Sequence, residues 1–170
     1  MKNAIGLIAL GCIAYGLWFE KSEPTYDIKI NDARRLLISF CLPPLVFGSD
    51  PPDCEAKILD DSRIGWIGKR RGGEVFRYVA TLTDTGKSKT KIGLDFLGAS
   101  SGPAGNTQQK LNEKPALRNL FLVAMREQIS STLERRSYNF SQIVPAMAPA
   151  AMSMLSPSYS PGSGLRRVLG

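Results

Sequence analysis

The spacing of hydrophobic positions changes several times along this chain, and each change marks a predicted element. Residues 4–19 (AIGLIALGCIAYGLWF) are sixteen consecutive positions without a charge, directly behind Met1-Lys2-Asn3. A run that is apolar on every face reads as a membrane helix and not as a core helix. Residues 22–30 follow as a linker broken by Pro24. Ala33, Leu36, Leu37, Phe40 and Cys41 then fall at i, i+3, i+4, i+7 and i+8, the stripe of an amphipathic helix. Asn31 is its expected N-cap, Asp32 complements the helix dipole, and Pro43-Pro44 should end it near Leu42. Val46 and Phe47, in the loop that follows, are expected to tuck into the core.

Beyond residue 55 the period drops to two. Residues 56–59 make a weak strand, 60–62 a turn or bulge, 63–68 a strand, and 69–73 a turn. The strongest strand is 74–83, with Phe76, Tyr78, Ala80 and Leu82 on one face, and 90–97 returns with Ile92, Leu94 and Phe96 alternating. Centring the second turn near residue 87 pairs Leu82 with Ile92, Ala80 with Leu94 and Tyr78 with Phe96. Centring the first near residue 71 pairs Phe76 with Trp66 and Tyr78 with Ile64. Both registers turn the same face of the central strand inward, so Trp66 and Phe76 are expected to be buried cross-strand neighbours beneath the first helix.

Residues 98–113 read as a polar, Gly/Ser-rich loop. Pro115 suits a helix first turn, and 116–135 reads as a long helix with Leu117, Leu120, Phe121, Ala124 and Ile129 on its apolar face. From residue 137 the chain is Ala, Met, Pro and Ser with no charge until Arg166-Arg167, which predicts a disordered tail. A short helix over 146–155, touching the membrane or a partner, is the alternative. The predicted fold class is therefore α+β. It comprises a signal-anchor helix (1–21), a linker (22–30), one small domain (31–136) and a low-complexity tail (137–170). The domain holds a helix, a three- to four-stranded antiparallel meander and a long C-terminal helix. A sheet curled against helices is similar to cystatin-like folds, an architectural analogy that transfers no function.

Charge sets the orientation. A helix over 4–19 covers about 24 Å, a little short of the roughly 30 Å hydrocarbon core, and Lys21 can snorkel to close the gap. Lys2 precedes the run, and Glu20, Lys21 and Glu23 follow it with a net negative charge. The positive-inside rule keeps the N-terminus cytoplasmic and the domain extracytoplasmic. A cleaved signal at Ala14-x-Gly16, giving a secreted or periplasmic product, and a lipoprotein signal ending at Cys12 are the alternatives. All three export the domain.

The formal charge of +7 is dispersed, and there is no histidine. That removes Ser-His-Asp and Cys-His nucleophiles and every His-ligated metal site. Cys41 and Cys54 are a candidate disulfide, closing a loop worth about 3 kcal/mol in the chain-entropy model; two buried thiols are the alternative. Lys69, Arg70 and Arg71 are candidate contacts to anionic headgroups or a partner. Adding Lys87, Lys89 and Lys91 suggests nucleic acid, but successive hairpin turns lie at opposite ends of a sheet and the interleaved aromatics face the core, so no nucleic acid is expected. Gly86-Lys87-Ser88 lacks the earlier glycine of a phosphate loop, Thr81 standing in its place. Asp60-Asp61 supplies too few oxygens for a hard cation. Ser130, Ser131 and Thr132 beside Arg135-Arg136 have no identifiable base. No catalytic residue, metal ligand or cofactor is assigned.

The functional expectation is a membrane-anchored, envelope-facing binding or scaffolding protein with a protein partner. An exported domain holding a lipid or glycan fragment is the alternative, and an exported enzyme a third reading. A cavity against the apolar face of the sheet would favour the ligand; a filled core with exposed apolar residues would favour the partner.

Overall fold

The computed structural model describes residues 23–44, 46–102 and 105–155. The predicted membrane segment lies outside them, and no helix among the described residues is long and apolar enough to cross a membrane. Among the described residues the chain is α+β, with a five-stranded antiparallel sheet of order β1-β5-β4-β3-β2 and four α-helices. The strands are β1 (Thr25–Tyr26), β2 (Asp53–Ile58), β3 (Arg63–Arg70), β4 (Gly73–Gly86) and β5 (Lys89–Gly98). The helices are α1 (Ile30–Leu37), α2 (Thr107–Glu113), α3 (Pro115–Leu133) and α4 (Val144–Leu155), with a single 3-10 turn at Phe140–Gln142.

The β4–β5 register is the one the alternation predicts: Leu82 faces Ile92, Ala80 faces Leu94 and Tyr78 faces Phe96. The β3–β4 register is displaced by two residues. Trp66 faces Tyr78 and Ile64 faces Ala80, while Phe76 faces Gly68, so Trp66 and Phe76 are not direct partners. Arg71 and Gly72 both take positive φ (50° and 77°), giving a two-residue hairpin turn, and a bulge at Gly68/Lys69 shifts the pairing further. A shift of two preserves side-chain parity. Trp66 and Phe76 therefore stay on the buried face, at 0% and 6% exposure.

Gly68 matters for a steric reason: a Cβ there would overlap the Phe76 ring. That ring stacks on Phe47, which in turn stacks on Phe121 of α3, both at 5.0 Å between centroids. Tyr78 stacks on Phe96 at 4.4 Å and donates its hydroxyl to the Phe121 carbonyl at 3.2 Å. Phe47 thus enters the core as expected, and Val46 packs against a second apolar cluster between α3 and α4.

Other elements differ from the pattern-based expectation. Helix α1 ends at Leu37, short of Leu42, because Ser39 gives both its amide and its hydroxyl to the Leu36 carbonyl. The freed Leu37 and Phe40 carbonyls both accept Trp66 Nε1 at 3.2 Å. Asn31 lies inside α1; Lys29 is the N-cap, its carbonyl accepting the Asp32 and Ala33 amides. Part of the 22–30 linker pairs with β5 as β1, fixed by Thr90 Oγ1 donating to the Ile28 carbonyl at 2.7 Å. The first strand of the meander begins at Asp53, three residues before the pattern shows it. The expected 98–113 loop contains α2, whose Thr107 and Gln108 side chains accept the Ala99 and Gly98 amides at 2.7 Å. Residues 140–155, expected in a disordered tail, carry the 3-10 turn and α4. Residues 156–170 of that tail lie outside the described residues.

Helices α1, α2 and α3 place buried residues against one face of the sheet, and α4 packs on α3. The opposite face carries Ile67, Lys69, Glu74, Arg77, Val79 and Leu97, half-buried or exposed.

Candidate functional site

Two features of α3 and α4 stand out. The first is a clasp at the end of α3. Arg135 adopts positive φ (54°), the left-handed conformation that stops a helix. Its amide returns to the Thr132 carbonyl at 3.3 Å and that of Arg136 to the Ser131 carbonyl at 2.9 Å, a Schellman closure. This swings the Arg136 guanidinium back onto Glu127. Nη2 donates to Oε2 at 3.0 Å and Nη1 to Oε1, and Nε donates to Glu134 Oε2 at 2.6 Å. The Asn139 amide adds a third hydrogen bond to Glu127 Oε1 at 2.7 Å.

Among the described residues, Glu127 is the buried carboxylate, at 7% exposure. Burial pushes its pKa up, but the Arg136 and Asn139 hydrogen bonds outweigh that and hold it below the ordinary value. Arg136 is held above the usual arginine range by Glu127 and Glu134. A carboxylate committed to three donors is ionised and fixed, so its chemistry is positional and not that of a proton acceptor. Tyr138 lies beside it with its hydroxyl buried and unpartnered, and desolvation with the Glu127 charge pushes its pKa to about 12. An open cavity of about 560 Å³ sits here, lined by Glu127, Arg136, Ser137, Tyr138, Asn139 and Gln142.

The clasp lays the following chain along α3. Ile143, Ala146 and Ala150 bury against Leu120 and Ala124. The flank of α4 beside that seam is left exposed. Val144, Met147, Met154 and Leu155, at i, i+3, i+10 and i+11, share one helical face and are exposed, Leu155 at 83%. Sequence reading missed the clasp because Glu127 and Arg136 are nine positions apart with a helix end between them. The absence of charge from residue 137 to 165 was visible, but a charge-free segment reads equally as tail or as packed helix.

Of the residues singled out by sequence, the two cysteines come together, whereas the charged and hydroxyl candidates stay apart. Cys41 and Cys54 are joined by a disulfide with a Cα–Cα distance of 5.9 Å, tying the chain after α1 to edge strand β2. Lys69 pairs with Glu55 at 2.6 Å and Arg70 with Asp50 at 3.4 Å; Arg71 is exposed at the turn. Lys89 and Lys91 pair with Asp27 and Glu23 at the other end of the sheet. Gly86-Lys87-Ser88 forms the β4–β5 turn, with Lys87 and Ser88 both at positive φ. Asp60 accepts Ser62 and Arg63, the Ser62 amide first among the causes that lower its pKa to about 2. Ser130 Oγ lies 2.7 Å from the Tyr26 hydroxyl, whereas Ser131 and Thr132 bond back to the Gln128 carbonyl. Among the described residues no three His, Cys, Asp or Glu side chains converge as a metal site.

Comparison of the chain with protein-family models, curated proteins and solved structures gives no match, so a functional reading rests on these residues alone.

Proposed function

We propose that this chain is a membrane-anchored, envelope-facing binding protein, an accessory or scaffolding component of a membrane-associated assembly. The observation that carries the reading is the set of aromatic rings packed between sheet and helices. Phe40, Phe47, Trp66, Phe76, Tyr78 and Phe96 occupy the volume that a lipid or glycan fragment would need. The described cavity opens instead at the polar end of α3, away from the apolar face of the sheet. Recognition then falls to the outside. The uncharged run at 4–19 supports export, and a disulfide is the cross-link that an oxidising compartment maintains.

The surface best suited to a protein partner is the sheet face that none of the described helices covers, where Ile67 and Leu97 flank Arg77 on adjacent strands. Aliphatic side chains set among ion pairs give a partner both apolar area and registration. The test is capture of the full chain from native membranes in mild detergent, beside Ile67→Glu and Leu97→Glu variants. Each new carboxylate faces Arg77, so melting should be unchanged while a reproducibly captured partner is lost. Repeated recovery of the unaltered chain alone would count against the proposal.

A further inference from the structure

We infer that the exposed face of α4 rests on the lipid surface as a second membrane contact, an inference that takes the 4–19 anchor of the proposed function as its starting point. The occupant follows from chain length. Only residues 20–24 separate the end of that run from β1 at Thr25, a reach of at most about 22 Å even fully extended. Strand β1 touches α3 directly, Tyr26 Oη lying 2.7 Å from Ser130 Oγ, and α3 carries α4. Packed helices lie about 8–10 Å apart and α4 lies along α3 from Ala124 towards Leu117, so the tether keeps α4 within a few tens of ångströms of the bilayer that anchors the chain.

Composition suits that surface. No charge interrupts residues 137–165, so seating this face at the interface desolvates no ion. Val144, Met147, Met154 and Leu155 already point away from the domain.

Area argues against a protein occupant. Twelve residues make a helix about 18 Å long, and a face about 10 Å wide gives roughly 180 Å². Stable protein interfaces need about 800 Å² from each partner. So small a patch holds when attachment is already intramolecular, since the tether supplies a high effective concentration of bilayer.

The experiment uses the full chain in vesicles of phosphatidylethanolamine and phosphatidylglycerol doped with a diazirine-bearing phosphatidylcholine. After photolysis, lipid adducts are mapped by mass spectrometry. Adducts are expected within 4–19 and on α4 at Met147, Met154 and Leu155. The α4 adducts should fall about tenfold or more in a Met147→Glu/Met154→Glu variant that melts like the parent. Leu155→Glu, at the helix end, repeats the test with little risk to folding. Adducts within 4–19 but none on α4 would overturn the inference and leave the anchor standing. Adducts at neither place would sink the anchor and the inference together. In a parallel sample carrying photo-methionine, chain-to-chain cross-links through α4 would show that a second copy covers it, which also overturns the inference.

Discussion

Trp66 ties the end of α1 to the sheet. It is fully buried, stacks on Phe40 at 5.4 Å, and its indole N–H holds the Leu37 and Phe40 carbonyls that α1 leaves unpaired at its end. Trp66→Ala removes the ring and orphans those carbonyls. The expected cost is about 3–5 kcal/mol, against about 5–15 kcal/mol for a whole domain. Chemical denaturation should show a much lower midpoint, whereas Arg70→Ala, an exposed pair with Asp50, should change stability by less than about 0.5 kcal/mol. The β4–β5 turn offers a change of opposite sign. Lys87 and Ser88 both occupy the left-handed region at φ of 51° and 61° without a glycine between them. Replacing them by Asn-Gly, the preferred pair for such a turn, should stabilise the domain by about 0.5–1 kcal/mol, read as a higher denaturation midpoint. A loss would mean that a side chain at the turn makes a contact worth more than the backbone strain.

At the scale of elements, the Glu127 clasp decides where α4 lies. Glu127→Gln keeps the shape but removes the charge that Arg136 and the Asn139 amide address. Hydrogen bonds to charged groups contribute about 1.5–3 kcal/mol, so the α3–α4 turn should loosen first. Hydrogen exchange should then speed up across Val144–Leu155 while the β3–β4–β5 amides keep their protection. Uniform acceleration would show that the clasp supports the whole domain instead. Acid tests the same carboxylates. Glu127 and Asp60 both have folded pKa values below their ordinary 4.5 and 3.8, Asp60 at about 2. Groups depressed in the folded state stabilise it above the unfolded pKa and lose that contribution as pH falls through the folded value. Melting temperature should therefore be flat near neutrality and fall between about pH 4.5 and pH 2, less steeply in Glu127→Gln.

For the whole molecule, the disulfide is the one covalent constraint among the described residues. Cys41 and Cys54 are 13 positions apart, so the bond restricts the unfolded chain modestly, by about 3 kcal/mol in the chain-entropy model. Reduction should lower the melting temperature by roughly 10 °C for a domain of this size. A Cys41→Ala/Cys54→Ala variant should melt like the reduced protein and no longer respond to reductant. Equal melting of oxidised and reduced protein would mean that the bond adds nothing to a core already closed by its rings.

Alternation alone determined which residues face the interior. A strand's period of two assigns Phe76, Tyr78, Ala80 and Leu82 to one side whatever lies opposite, and the helical stripe from Ala33 to Leu37 works the same way. It did not determine which residues meet. The two-residue slide that put Tyr78, and not Phe76, against Trp66 keeps parity, so no pattern of apolar positions registers it; a turn conformation and a bulge beside Gly68 decided it. The same limit explains the misread ends. Helix α1 stops where carbonyls find the Trp66 indole, and α2 forms where its first side chains receive the amides at the end of β5. Neither partner is local in sequence. Residues 140–155 lack a strong contrast between faces, so tail and short helix read alike from the pattern; Glu127, Arg136 and the apolar side of α3 supply the contacts that hold α4. Local chemistry fixed the faces; long-range contacts, which alone repay the entropy of ordering a segment with no strong preference, chose the partners.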